Sequence, residues 1–198
     1  MKYCSSFEKL IDSLEKLPGV GHKSAERMAY QIIELSNFDI KEFSKSLEDA
    51  KTKIHRCKVC GHLTEDDLCE ACNDEKRDQT TICVVSSSKD VYAIDKTNSY
   101  NGLYHVLFGT ISPANGIGPD DLNIDSLISR IENGNVSEVI LATNPTTDGE
   151  TTALYISRLL EKYNVKVTRI AFGMPLGANL DYTDQFTILK ALEGRRKI

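Results

Sequence analysis

Cys57-x-x-Cys60 and Cys69-x-x-Cys72 fall within a stretch of sixteen residues, and no other feature constrains the chain as strongly. Clustered thiols in a reducing compartment point to a metal rather than to disulfides. Each pair sets two thiolates on one side of a tight turn. Two such turns complete a tetrahedral zinc site in which four sulfurs leave no position open for water or substrate. The predicted role is therefore structural, with one Zn(2+) per chain held by Cys57, Cys60, Cys69 and Cys72. Four free surface thiols are the alternative, but this spacing rarely arises by chance. His62 lies between the pairs and is expected at the surface, because four cysteines already saturate the ion. The link between the pairs, Glu65-Asp66-Asp67, is acidic and poor in apolar residues, so the segment cannot build a core of its own.

Ahead of the cysteines the pattern is helical. Ser5 and Glu8 form a capping pair, and Phe7, Leu10, Ile11, Leu14 and Leu17 recur at helical spacing. Pro18-Gly19-Val20-Gly21 interrupts the helix, after which Ala25, Met28, Ala29, Ile32 and Ile33 form a second apolar stripe. Asp39 and Glu42 repeat the capping pattern for a third helix bearing Ile40, Phe43, Leu47, Ala50 and Ile54. Gly19 and Gly21 permit a tight hairpin whose backbone amides, at the start of the second helix, can face a phosphate. Val20 would then plug the space between the helices, Lys23 would supply charge, and Arg27 would lie one turn further on, beside Glu26 and Glu34. A plain interhelical turn would account for one glycine but not for the whole arrangement. Contact of this kind reads the nucleic-acid backbone rather than its bases.

Beyond residue 80 short β-rich runs alternate with helical ones. Strands are predicted at 81–85, 104–108, 138–141 and 165–170, and helices at 89–96, 122–132 and 151–163. That alternation means a mainly parallel sheet, with residues 109–121 as a long Gly- and Pro-rich loop. Ser86-Ser87-Ser88 after the first of these strands reads as a helix N-cap, lacking the paired His and acid of a nucleophile. Asp148 and Glu150 open the last of these helices after a strand. They could hold magnesium there, although acids at a helix start are also favoured by the dipole alone.

The net charge of −5, from 24 basic and 29 acidic residues, repels nucleic acid in bulk, so any DNA contact must be local. Two basic stretches, Lys51 to Lys58 and Arg195-Arg196-Lys197, read as solvated surface. A hydrophobic fraction of 40% with 27% charged residues excludes a disordered or fibrous chain. No apolar run is long enough to span a bilayer, and the start lacks a secretory signal, which predicts a cytoplasmic protein with no membrane association.

A helix-hairpin-helix, a four-cysteine motif and an α/β domain, in that order, resemble the bacterial recombination mediator family RecR. The resemblance spans essentially the whole chain. It extends to Leu103-Tyr104-His105-Val106-Leu107, the Gly116-Ile117-Gly118-Pro119 loop, Asn144-Pro145-Thr146, and the terminal Gly173-Met174-Pro175-Leu176-Gly177 and Leu192-Glu193-Gly194-Arg195-Arg196 runs. It implies an α/β Toprim-type parallel-sheet domain at 79–173, a helix-hairpin-helix region at 1–54, a zinc finger at 55–78 and a C-terminal segment at 174–198. It further implies a DNA-binding, nonenzymatic mediator of DNA repair, nucleoid-associated and assembled as a ring-shaped tetramer, that acts with RecO and RecF to load RecA at single-stranded gaps. The DNA contacts expected are Gly19, Gly21, Lys23 and Arg27. Catalytic Toprim domains carry a Glu after the first strand, whereas Ser86 stands here, which argues against a Mg(2+) site competent for phosphoester cleavage. Asp148 and Glu150 remain as a partner-binding surface or a weak magnesium site. The competing function is a magnesium-dependent Toprim phosphotransferase or nuclease acting on DNA.

Overall fold

The computed structural model describes residues 2–195, in two compact units, 1–54 and 55–198. Arg196 and Lys197 of the basic tail lie outside the described residues. No helix among the described residues is long and apolar enough to cross a membrane.

The first unit is all helical: α1 (Ser5–Glu15), α2 (His22–Glu34) and α3 (Asn37–Lys53). Phe7 and Ile11 of α1 bury against Ala25 and Ala29 of α2, with Leu10, Leu14 and Val20 packed around them. Two alanines on α2 let the helices approach closely. Three sequence expectations change here. Cys4, not Ser5, is the N-cap of α1, and its side chain makes no capping bond. α3 begins two residues before Asp39, because Ser36 is its cap and accepts from the Asp39 amide at 3.1 Å. The predicted apolar stripe of α3 buries no residue, leaving Phe43, Leu47 and Ile54 exposed, as is Phe38 beside them.

The second unit opens with a ribbon, β1 (His55–Arg56) antiparallel to β2 (Leu63–Thr64), and a single turn, α4 (Glu70–Asn73). There follow β3 (Asp78–Val85), α5 (Ser88–Asp95), β4 (Gly102–Val106), α6 (Ile124–Asn133), β5 (Glu138–Leu141), α7 (Thr147–Leu160) and β6 (Lys166–Arg169). The four long strands form one parallel sheet in the order β4-β3-β5-β6. Predicted β5 coincides with the observed strand. β4 stops two residues short of Phe108, whose φ of 69° lies in the left-handed region and turns the chain out of the sheet.

Successive residues of a strand face opposite sides. Ile82 and Val84 of β3 therefore pack with Val139, Leu141, Leu127, Ile156 and Leu160 under α6 and α7. Cys83 and Val85 face the other way, joining Val91 of α5 and Tyr104 and Val106 of β4. Cys57, Cys60, Cys69 and Ala71 belong to that same second cluster. The cysteine segment has no core of its own, as expected, and it shares the core of the sheet. A last helix, α8 (Gln185–Glu193), is capped by Asp184, which accepts from the Thr187 amide at 2.9 Å. No element was predicted there.

Candidate zinc centre and nucleic-acid interface

β1 and β2 bring the first Cys-x-x-Cys into a knuckle, in which the Cys57 amide bonds the His62 carbonyl at 2.7 Å and the Gly61 amide bonds the Cys57 carbonyl at 3.0 Å. Gly61 has a φ of 77°, and a Cβ there would meet the Phe108 ring at 2.7 Å. The sequence therefore needs glycine at this point of the turn. The second pair sits at the start of α4, where the Cys72 amide bonds the Cys69 carbonyl at 3.0 Å.

The four ligand sulfurs lie within 4.8 Å of one another, with Cys57, Cys60 and Cys69 buried and Cys72 half-buried. Backbone amides already face them: His62 N–H lies 3.4 Å from Cys60 Sγ, and Cys69 N–H 3.3 Å from Cys57 Sγ. Bonds of this kind orient metal-bound thiolates. With protons on the sulfurs, hydrogen bonding to Cys69 pushes the Cys60 thiol up, hydrogen bonding to Cys60 pushes Cys72 up, and Cys69 falls as their acceptor. A bound zinc would be held by all four groups as thiolates, which removes this competition for protons. The donor set fits one structural zinc, and its chemistry there is to stiffen the fold. His62 departs from expectation: it is buried, with its ring 4.8 Å from that of Tyr92.

The helical hairpin is placed by Gly19, whose φ of 82° only glycine adopts easily. Gly21 is different. It is the extended N-cap of α2, and a Cβ there would meet nothing within 4 Å. Its lack of a side chain answers to no internal contact and keeps the opening amides of α2 approachable. The His22 and Lys23 amides have no backbone acceptor, whereas those of Ser24 and Ala25 bond the Gly21 carbonyl at 2.9 Å. Lys23 and Arg27 are exposed, and neither pairs with a carboxylate among the described residues. Glu26, a candidate partner for Arg27, accepts instead from the Tyr3 hydroxyl.

Asp148 and Glu150 sit in the first turn of α7 as expected, but their environments differ. Glu150 accepts from Arg169 at 2.8 Å, and Arg169 also donates to the Thr143 carbonyl at 2.6 Å and stacks 4.5 Å from the Phe172 ring. Asp148 is unpaired among the described residues. The two acids belong to no group of three or more converging ligands among those residues. Ser87, within the serine run, is the α5 cap: Asp90 accepts from its amide at 2.8 Å and its hydroxyl at 3.0 Å. Sequence reasoning missed Arg169, because its pairing joins a strand end to a helix start nineteen positions away.

Comparison with known proteins follows this layout. Residues 7–51 match the RecR helix-hairpin-helix family, 54–74 the RecR Cys4-zinc finger domain, 80–171 the Toprim domain and 173–196 the RecR C-terminal family. Relatives called "Recombination protein RecR" from Streptococcus pyogenes serotype M49 (strain NZ131) and serotype M3 (strains ATCC BAA-595 / MGAS315 and SSI-1) are each 52% identical. Each match runs over 198 residues and covers 100% of both chains. The chain belongs to the RecR family. Its four RecR cysteines, Cys57, Cys60, Cys69 and Cys72, thus fall within the matched Cys4-zinc finger, and its parallel sheet is that of a Toprim domain. As a RecR recombination protein it serves DNA recombination and repair.

Proposed function

We propose that the chain is a DNA-binding recombination mediator that acts with RecO and RecF to help load RecA at single-stranded gaps, without catalysing a reaction. The observation that carries this reading is the helical hairpin. A tight turn at Gly19, a bare Gly21, open amides on α2 and two cations unpaired among the described residues, Lys23 and Arg27, together suit a phosphate backbone. Since the chain carries −5 overall, such a local site is what DNA binding requires.

Assembly as a ring-shaped tetramer draws support from the apolar residues the chain leaves uncovered, Phe38, Phe43 and Leu47 on α3 and Leu176, Tyr182 and Phe186 near the C-terminus. In this reading residues 1–54 assemble and touch DNA, 55–78 hold zinc, 79–173 receive partner proteins, and 174–198 add a C-terminal segment. The place of action is the cytoplasm, at the nucleoid. Absence of catalysis is supported by Ser86 at the position where Toprim enzymes carry Glu, and by the engagement of Glu150 with Arg169. Asp148, unpaired among the described residues, is the better candidate for a basic partner face.

Lys23→Ala tests the reading. DNA affinity should fall with little sequence preference, and the log-affinity against log-salt slope should shrink by roughly 0.7 to 0.9, the loss of one phosphate contact. An unchanged slope in a folded, assembled variant would refute the contact. Magnesium-dependent cleavage or joining of DNA, abolished by Asp148→Asn with Glu150→Gln, would overturn the nonenzymatic reading.

A further inference from the structure

β4 ends the sheet on one side, and the zinc knuckle and α6 meet at its outer edge. Backbone groups of alternate strand residues point the same way. The Leu107 amide bonds Val85 of β3 at 2.9 Å, so the groups of Tyr104 and Val106 point away from the sheet. The knuckle takes one of them, the Val106 amide donating to the Cys60 carbonyl at 2.8 Å. α6 takes two more: Arg130 Nη1 donates to the Tyr104 carbonyl at 2.7 Å, and Asn123, just ahead of the helix, donates to the Val106 carbonyl at 3.0 Å. A Cβ on Gly61 would meet Asn123 Nδ2 at 3.2 Å, and α4, which carries Cys72, packs against β4 as well. Arg130 and Cys60 thus attach to one strand edge two residues apart, within about 7 Å of each other.

Arg130 is half-buried, and among the described residues no carboxylate pairs with it. Its guanidinium is held in place, because Nη1 also lies 3.3 Å from Nδ1 of His105, a fully buried ring. A cation taken partly out of water without an anion is costly, so a charged group in such a place calls for a partner. The bond to the Tyr104 carbonyl does not supply one, since a neutral donor would serve it equally well.

The finger next to it has the opposite need. A zinc ion held by four thiolates keeps negative charge in excess, and three of the four cysteines are buried. Burial pushes the Arg130 guanidinium down, while the charges of Cys72, Cys60, Cys57 and Cys69, in that order, push it up. None of those charges is a carboxylate. Two other cations of the segment are placed differently: Lys58 pairs with Asp67 at 2.7 Å, and Arg56, exposed, stacks 3.5 Å over the Phe108 ring. We propose that Arg130 is the counter-charge of the zinc centre, a positioning residue that strengthens zinc binding from the edge of β4 without coordinating the ion. The strand edge fixes where the guanidinium sits, and the tetrathiolate gives its charge a use.

The test compares Arg130→Gln, which keeps a donor and loses the charge, with Arg130→Lys, which keeps both. Zinc affinity of the full chain is read by competition with a chromophoric chelator, and the cobalt(II)-loaded chain by absorption spectroscopy. Arg130→Gln should bind zinc about tenfold more weakly, as when an outer partner of a metal ligand is removed. Its cobalt d–d bands should stay those of a tetrahedral tetrathiolate. The sulfur-to-cobalt charge-transfer band should move to longer wavelength, because thiolates without a neighbouring cation give up electrons more readily. Arg130→Lys should keep wild-type affinity and band position, and so should Arg56→Met. Wild-type values in Arg130→Gln would reduce Arg130 to a bond on the strand edge and overturn the proposal. So would altered d–d bands in that variant, or a loss as large in Arg130→Lys or in Arg56→Met. If Arg130→Gln does not fold, Arg130→Lys decides alone: wild-type zinc affinity upholds the counter-charge, and a loss of about tenfold refutes it.

Discussion

His105 should make stability fall with acid. Its Nε2 lies 2.7 Å from the Asn123 carbonyl, which can only accept, so Nε2 carries the proton. Nδ1 is then free to accept from Arg130 at 3.3 Å, and Arg130 also donates to the Tyr104 carbonyl at 2.7 Å. Both roles require a neutral ring. Burial, reinforced by the Arg130 charge and only partly offset by the Asn123 bond, pushes His105 down to about 4. In the unfolded chain a histidine titrates near about 6.5. Between these values the unfolded state holds a proton that the folded state lacks. The stabilisation is therefore complete above about pH 6.5 and is lost as pH falls toward 4. The full loss is roughly 3 kcal/mol, of which about 2 kcal/mol is gone by pH 5. Urea unfolding of wild type and His105→Asn at pH 7.5, 6 and 5 measures it. Acid effects on the zinc thiolates and carboxylates enter both proteins alike. The variant should start less stable, yet lose about 2 kcal/mol less between pH 7.5 and 5. Parallel loss in the two proteins would refute the neutral buried ring.

Cys60→Ser should abolish stoichiometric zinc and speed amide exchange in β4 as well as in the knuckle, because the Val106 amide bonds the Cys60 carbonyl at 2.8 Å; metal analysis with hydrogen exchange reads both. Gly19→Ala should cost about 1 to 2 kcal/mol through its left-handed backbone. Gly21→Ala should cost about 0.5 to 1 kcal/mol as a poorer N-cap, well within what the fold tolerates, while weakening DNA binding. Asp148→Asn with Glu150→Gln should reduce RecO or RecF binding in a pull-down while zinc content stays at one per chain.

The zinc ligands were legible because coordination by two knuckles is written in local spacing. β5 was legible for a similar reason, since Val139 and Leu141 alternate against one buried layer. Caps were less so. Ser36-x-x-Asp39 and Asp39-x-x-Glu42 both satisfy the pattern, and the helix takes the first, with the Ser36 hydroxyl accepting from the Asp39 amide. His62 was misplaced because saturation of the metal says nothing about what covers an unused side chain. The pairs Arg169–Glu150 and Arg56–Phe108 join residues remote in sequence, and no local periodicity signals such meetings. α8 did carry a signal, Asp184 ahead of Phe186, Leu189 and Leu192, but those apolar residues are exposed, and a stripe without a buried partner is weak grounds for an element.

β3 contributes alternate residues to two interiors, and this decides where the molecule can be cut. Excising residues 55–78 would leave Cys83, Val85, Tyr104 and Val106 as bare apolar surface on a sheet, an invitation to aggregate. A fragment holding only those residues would in turn present its buried sulfurs and Ala71 to water, with zinc as its one remaining source of order. The finger and the sheet are therefore a single unit of folding. A recombinant fragment meant to isolate the Toprim domain should begin near residue 55 and keep the metal.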